Sequence, residues 1–415
     1  MNMHSPRFDV SRGIHAVVTL MPGFLSALWS SRWPGLGWAA CVLAIGSATA
    51  AEFAPKVVVS GLNNPRGMTF GPDGALYIAE AGKLETPGPD TPSLTTRATF
   101  YYGESGAITR WEPGSISQVL SGLPSLYSPA ISEVTGVHDV GFDAAGNLYY
   151  TIGLGANPAQ RTGPELNQFG HLMRLPAGGG APESVADIAG YEGANNPAGG
   201  PIDSNPFKLS VHSGGVLVAD AGANAILNVS FDGTIDVVST LLDLPVGTDA
   251  VPTSVALSDV GEVFISQLTG APFTKGSAGV FRVDGAGLTE IGAGFTNVVD
   301  LAYGPDGWLY VLEMAHDGLA SGSLMGGLWR LNPDTGFKEL LMTEGLVLPT
   351  ALAFDGDGSL YVANYGIIPG ESAVVRLQPV PEPAVTGAIA ALGLIAFVWW
   401  RRRMCGGQAD AKAAG

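Results

Sequence analysis

The chain has 415 residues, of which 46% are hydrophobic and 14% charged, and its net charge is −17. Residues 51–400 carry 13 Lys and Arg against 35 Asp and Glu, a local balance of −22 that argues against nucleic acid and against adsorption to anionic lipid. The two cysteines, Cys41 and Cys405, lie outside that span, so it has no disulfide, no thiolate metal site and no cysteine nucleophile.

An apolar run at residues 38–45 follows Arg32 and ends in Ala48-Thr49-Ala50, a small-x-small cleavage site. These features predict a signal peptide over residues 1–50, read by the Sec translocon, with Met1 or Met21 as the start. Cleavage after Ala50 leaves about 330 residues before the tail, enough to bury a core without covalent staples.

From residue 65 onward one phrase recurs six times: an apolar strand, a turn with glycine, a second apolar strand. The turn glycines are Gly74, Gly146, Gly215, Gly261, Gly307 and Gly358. Pro72-Asp73-Gly74, Pro305-Asp306-Gly307 and Asp357-Gly358 read as hairpin turns, because glycine accepts the positive φ that such turns need. Leu-Tyr follows the turn at Leu76-Tyr77, Leu148-Tyr149, Leu309-Tyr310 and Leu360-Tyr361. A third strand follows in each copy, usually with an arginine (Arg110, Arg174, Arg282, Arg330, Arg376) whose stem is expected to pack beside Trp111 or Trp329. A fourth strand follows five copies and is missing after the sixth. Lys56-Val57-Val58-Val59-Ser60-Gly61-Leu62 resembles the fourth-strand segment at 117–123 and can supply it.

The fold class predicted is therefore all-β: a six-bladed β-propeller over residues 54–378, its four-stranded blades closed by residues 57–60 pairing with 374–377. No helical period is expected outside the two membrane segments. A β-sandwich leaves the sixfold phrase unexplained.

Successive turn glycines lie 72, 69, 46, 46 and 51 residues apart. The first two intervals hold insertions at residues 82–106 and 153–168, and an irregular polar stretch covers 191–206. Long loops on a rigid ring are a common place for binding residues, although they also serve to cover one end of a channel. Asn63-Asn64-Pro65-Arg66-Gly67, Thr135-Gly136-Val137-His138-Asp139-Val140, Tyr191-Glu192 with Asn195-Asn196-Pro197, Ile202-Asp203-Ser204-Asn205-Pro206 and Ala219-Asp220-Ala221-Gly222-Ala223-Asn224 together resemble the ScyD/ScyE family. That family is named for genes of cyanobacterial scytonemin biosynthesis. The resemblance implies an NHL-like propeller and export, and it names no reaction.

Two sets of side chains are candidates for the site. The first places His138, Asp139, Glu192, Asn195, Asn196, Asp203, Asn205, Asp220 and Asn224 around one mouth of the ring, with Gly222 turning Asp220 and Asn224 inward. The second takes Glu80, Asp220, Glu313 and Asn364, which end the second strand in their own copies, as an oxygen ring for a channel calcium. Against both stands the turn-capping habit of such residues. His171, His212 and His316 are scattered, which disfavours a multi-histidine zinc site, and no Gly-x-Ser-x-Gly elbow appears.

Near the end of the chain Val380-Pro381-Glu382-Pro383 precedes 17 uncharged residues, 384–400, and then Arg401-Arg402-Arg403. This order resembles the PEP-CTERM sorting signal. It implies processing by an exosortase, a transmembrane helix over 384–400 in the inner membrane, a cytoplasmic tail over 404–415 and the propeller outside the cytoplasm. After processing the protein would reach the cell surface or medium. Two functions are then expected. One is a binding or scaffold module of the cell envelope or exopolysaccharide matrix, taking a glycan or small molecule. The other is a metal-dependent propeller hydrolase or lactonase, which requires oxygen ligands to converge on the axis.

Overall fold

The computed structural model describes residues 53–241, 248–285, 287–368 and 370–379. The signal peptide over 1–50 and the sorting segment with Val380, Pro381, Glu382, Pro383, Arg401, Arg402 and Arg403 lie outside the described residues. Among the described residues no helix is long and apolar enough to cross a membrane.

Six antiparallel sheets form the ring. Their inner strands are Pro65–Phe70, Val137–Phe142, Pro206–His212, Pro252–Leu257, Val298–Tyr303 and Ala351–Phe354, each packed on the next and the last returning to the first. The sixth sheet takes its outer strand from the start of the described chain: Phe53–Leu62 pairs with Ser372–Pro379, Val57 lying opposite Val375 and Ser60 opposite Ala373. The predicted closure is found, and it removes the open edge that a sixth blade of three strands would present.

Strand apolarity follows from the stacking of blades. Alternate side chains of a strand point to opposite faces, and in a propeller each face meets another blade. In blade 2 Tyr150 packs toward blade 1 with Ile108, while its neighbour Tyr149 packs toward blade 3 with Val216 and Val218. In blade 3 Leu217 turns the other way, to Val255 and Ile265 of blade 4. The recurring Leu-Tyr pair after the turn has a second reason. The leucine is buried, and the tyrosine hydroxyl donates back to the turn aspartate: Tyr77 to Asp73 (3.1 Å), Tyr149 to Asp143 (3.2 Å), Tyr310 to Asp306 (3.0 Å) and Tyr361 to Asp355 (3.3 Å).

Three expectations are corrected. The first blade is larger than four strands, because the insertion at 82–106 extends the sheet instead of looping free. Thr99–Glu112 and Ser115–Ser128 run 14 residues each, with Ser93–Thr95 and Glu133–Thr135 added at the edges. Tyr101, Tyr127, Val134 and Ala81 form a small core under this extension. Second, the polar stretch after blade 2 begins as a helix, Ile188–Asn195, capped by Asp187 accepting from the Gly190 amide and by Asn196 in the left-handed region at φ 42°. Two turns with three buried residues give too short a period to read. Third, Arg330 lies over Trp308 at 4.8 Å, whereas Lys338 occupies the face of Trp329 at 5.1 Å.

Candidate functional site

The axis is closed by a buried polar layer. Asp300 receives the Lys208 ammonium and the Leu352 amide at 2.9 Å each on Oδ2, and the Ser254 hydroxyl at 2.9 Å on Oδ1. Asp139 Oδ2 accepts from the Leu209 amide at 2.9 Å, and a Cβ on Gly67 would overlap Asp139 Oδ1. Contacts from all six inner strands thus meet in this layer. Burial, with Asp300 nearby, raises Asp139 from 3.8 to about 7 against the opposing pull of Lys208.

His138 sits beside this layer and is spent on structure. Its Nδ1 faces the Pro206 carbonyl at 3.2 Å, which only accepts, so Nδ1 carries the hydrogen and Nε2 accepts from the Thr135 hydroxyl at 2.7 Å. Burial holds the ring neutral, lowering it to about 3. Asp220 accepts from the Ser204 hydroxyl (2.7 Å) and from the amides of Asn205 (2.6 Å), Gly222 (3.2 Å) and Ala223 (3.1 Å). Asn224 accepts from the Val251 amide and donates to Asp249. The inward-pointing pair at Asp220 and Asn224 is therefore corrected: both close loops. Asn195 is exposed and bonds Tyr191 O, and Asn196 bonds Gly200 O. Glu192 and Asp203 are raised to about 7 and about 6, first by burial and then by Asp220.

The oxygen ring is corrected too. Glu80 accepts the Asn63 amide (2.6 Å), Glu313 the Thr296 amide (2.7 Å) and Asn364 the Val347 amide (2.6 Å), each across 17 residues, and Asp220 does the same for Asn205. These four are equivalent positions that pin the entry loop of their own blade. Among the described residues no three His, Cys, Asp or Glu side chains stand together as a metal would require.

Two cavities flank the axial layer and share no lining residue. One, of about 290 Å³, is the lumen beyond it, lined by Asp139, Asp300 and Ser254. The other, of about 370 Å³, is the mouth at the rim where inner strands begin. Its polar wall is Asn64, Arg66, Arg97 and Glu133 from blade 1 and Asn205 from blade 3. Its apolar wall is Phe273, Met314, Leu319 and Ile367, from blades 4 to 6. Arg66 donates to Val134 O at 2.8 Å, while its Nε is buried without a partner, and burial lowers its pKa with Glu133 opposing. Glu133 is already paired with Arg97. Of the predicted mouth residues only Asn205 lines this cavity. Arg66 carries no repeat signal, but Lys208 and Asp300 do: Gly67, Asp139, Lys208, Ser254, Asp300 and Ala351 all stand seven residues before their turn glycine.

No protein-family model and no curated protein matches the chain. Solved structures that it resembles include an aldose sugar dehydrogenase from Streptomyces coelicolor bound to PQQ (14% identity, 79% of this chain and 98% of that one, TM-score 0.47). A gluconolactonase from Xanthomonas campestris aligns at 14% identity over 81% of this chain and 93% of that one, TM-score 0.48. A calcium-binding regucalcin from Agrobacterium tumefaciens aligns at 12% over 81% and 98%, TM-score 0.46. At such identities no reaction carries over to this chain. What the geometry itself defines is a six-bladed propeller with a plugged axis and one mixed polar and apolar mouth.

The raised Asp139 makes a pH prediction. Its folded pKa of about 7 exceeds the ordinary 3.8, so the stability it contributes is present below about 4 and is lost as pH rises through about 7. Urea unfolding of the wild type and of Asp139→Asn should show the wild-type advantage shrinking across that window, by at most about 1.4 kcal/mol per pH unit. A difference that is flat or grows with pH would contradict this.

Proposed function

We propose that this chain is an exported, non-catalytic binding propeller whose mouth cavity receives a small organic molecule with an anionic or strongly polar end and an apolar body. The observation that carries this is the split lining: an under-bonded guanidinium, Arg66, with a second arginine on one wall, and Phe273, Met314, Leu319 and Ile367 on the other. At about 370 Å³ the cavity falls in the range of small-molecule sites, which are mostly apolar with a few placed polar groups. Guanidinium recognises carboxylates through paired, directed N–H bonds. The chain's acidic balance elsewhere makes the arginine wall the place where an anion is tolerated.

The test is a thermal-shift and calorimetric titration with an aromatic carboxylate, indole-3-acetate, and a uronic acid, glucuronate. One of them should raise the unfolding midpoint, and Arg66→Gln should weaken its binding by about 10-fold or more. A response unchanged in Arg66→Gln, or none from either probe, would contradict the reading. A propeller hydrolase would draw instead on Asp139 in the lumen, and a sugar lactone included in the same titrations would then be opened to its acid.

We also propose that the signal at residues 1–50 and the tail from Val380 deliver the propeller to the outer side of the inner membrane, where an exosortase processes it. The order Pro-Glu-Pro, apolar span, Arg-Arg-Arg supports this. Replacing Pro381, Glu382 and Pro383 with alanine should leave the protein membrane-bound and unprocessed. Wild-type release of that variant would count against the sorting signal.

A further inference from the structure

The segment between blades 2 and 3 concentrates buried oxygen atoms that nothing satisfies. Glu192 is 2% exposed, and neither of its carboxylate oxygens has a hydrogen-bond partner. Asn196 Oδ1 and Asp203 Oδ1 are buried and unpartnered as well. Of the 11 such side-chain atoms among the described residues, four come from these three residues, and all four are acceptors. None of the ion pairs among the described residues includes Glu192 or Asp203. Asp220 acts on both through space, and at Asp203 the Ser204 backbone amide and, more weakly, Arg97 oppose it.

The local backbone holds these oxygens in place. Glu192 is fixed by the helix Ile188–Asn195, and Asn196 by its left-handed cap. Asp203 precedes Ser204, which exchanges backbone hydrogen bonds with the blade 2 insertion: Gly155 N donates to Ser204 O at 2.9 Å and Ser204 N to Ala156 O at 3.2 Å. A buried carboxylate persists when it is paired, protonated or bound to a metal. One proton on Glu192 provides one donor for four acceptors. A hard cation accepts several such oxygens at once.

We propose that Glu192, Asn196 and Asp203 form a calcium site that staples this segment onto blade 2. The set is oxygen only, without nitrogen or sulfur, and two carboxylates with one amide leave the remaining positions to main-chain carbonyls and water, as calcium's irregular six to eight ligands allow. Magnesium, which demands a near-ideal octahedron, fits such a loop less well. Because fewer than three charged ligands are involved, the site is compatible with the absence of any acidic or histidine triad among the described residues. This site is separate from the mouth cavity, and its fate does not depend on the binding role proposed above.

The experiment is calcium titration of the purified full chain after EDTA treatment, by calorimetry and elemental analysis, with the unfolding midpoint followed in parallel. The expected result is one calcium per chain, a raised midpoint, no equivalent effect of magnesium, and affinity reduced about 100-fold or more in Glu192→Gln. Asn195→Ala, on the exposed side of the same helix, should bind as the wild type does. If Glu192→Gln does not fold, Asp203→Asn replaces it, since Asp203 is only half-buried. A chain that takes up no calcium, takes magnesium equally well, or binds calcium unchanged in these variants would overturn the proposal.

Discussion

The ion pair between Lys208 and Asp300 is the constraint on which the rest of the ring depends. Six apolar layers hold each blade to its neighbours, and apart from Phe207, which packs from blade 3 onto the layer of blades 5 and 6, they do not reach across the axis. Asp300 does: it takes bonds from blades 3, 4 and 6 at once, and Asp139 adds blades 1 and 2 beside it. A buried pair of this kind stabilises only when its remaining lone pairs are used, and here the Ser254 hydroxyl and the Leu301 and Leu352 amides use them. Burial raises the pKa of Asp139, with Lys208 opposing and the nearby Asp300 adding to the rise. The layer stands between the two cavities and leaves the mouth as a separate site.

Much of the fold could be read from the sequence because its devices are local. Glycines at Gly74, Gly146, Gly307 and Gly358 all take φ between 76° and 82°, as hairpin turns require. The tyrosine three residues later bonds the turn aspartate. Closure by residues 53–62 was visible because a strand was missing at one end and spare at the other. The extension of blade 1 and the short helix at Ile188–Asn195 were not visible, since a paired insertion and a two-turn helix look like any polar loop.

The site was less legible, and the reason is direction. Glu80, Asp220, Glu313 and Asn364 do share one repeat position, but periodicity says nothing about where a side chain points, and these point at their own entry loops. The axial layer was available to the same reasoning. A lysine in Phe207-Lys208-Leu209 and an aspartate in Val299-Asp300-Leu301 interrupt apolar strands at a fixed distance from the turn glycine. The apolar wall of the mouth had no such signal, because Phe273, Met314, Leu319 and Ile367 come from three separate blades and meet only in space.

The central claim is that the axial pair couples the blades, and a double-mutant cycle tests it most directly. Equilibrium urea unfolding would be measured for the wild type, Lys208→Met, Asp300→Asn and the combination of both. Each single change should cost about 3–5 kcal/mol by leaving a buried partner uncompensated, and the double variant should recover about 2 kcal/mol or more relative to their sum. Strictly additive costs, or single variants as stable as the wild type, would contradict the account.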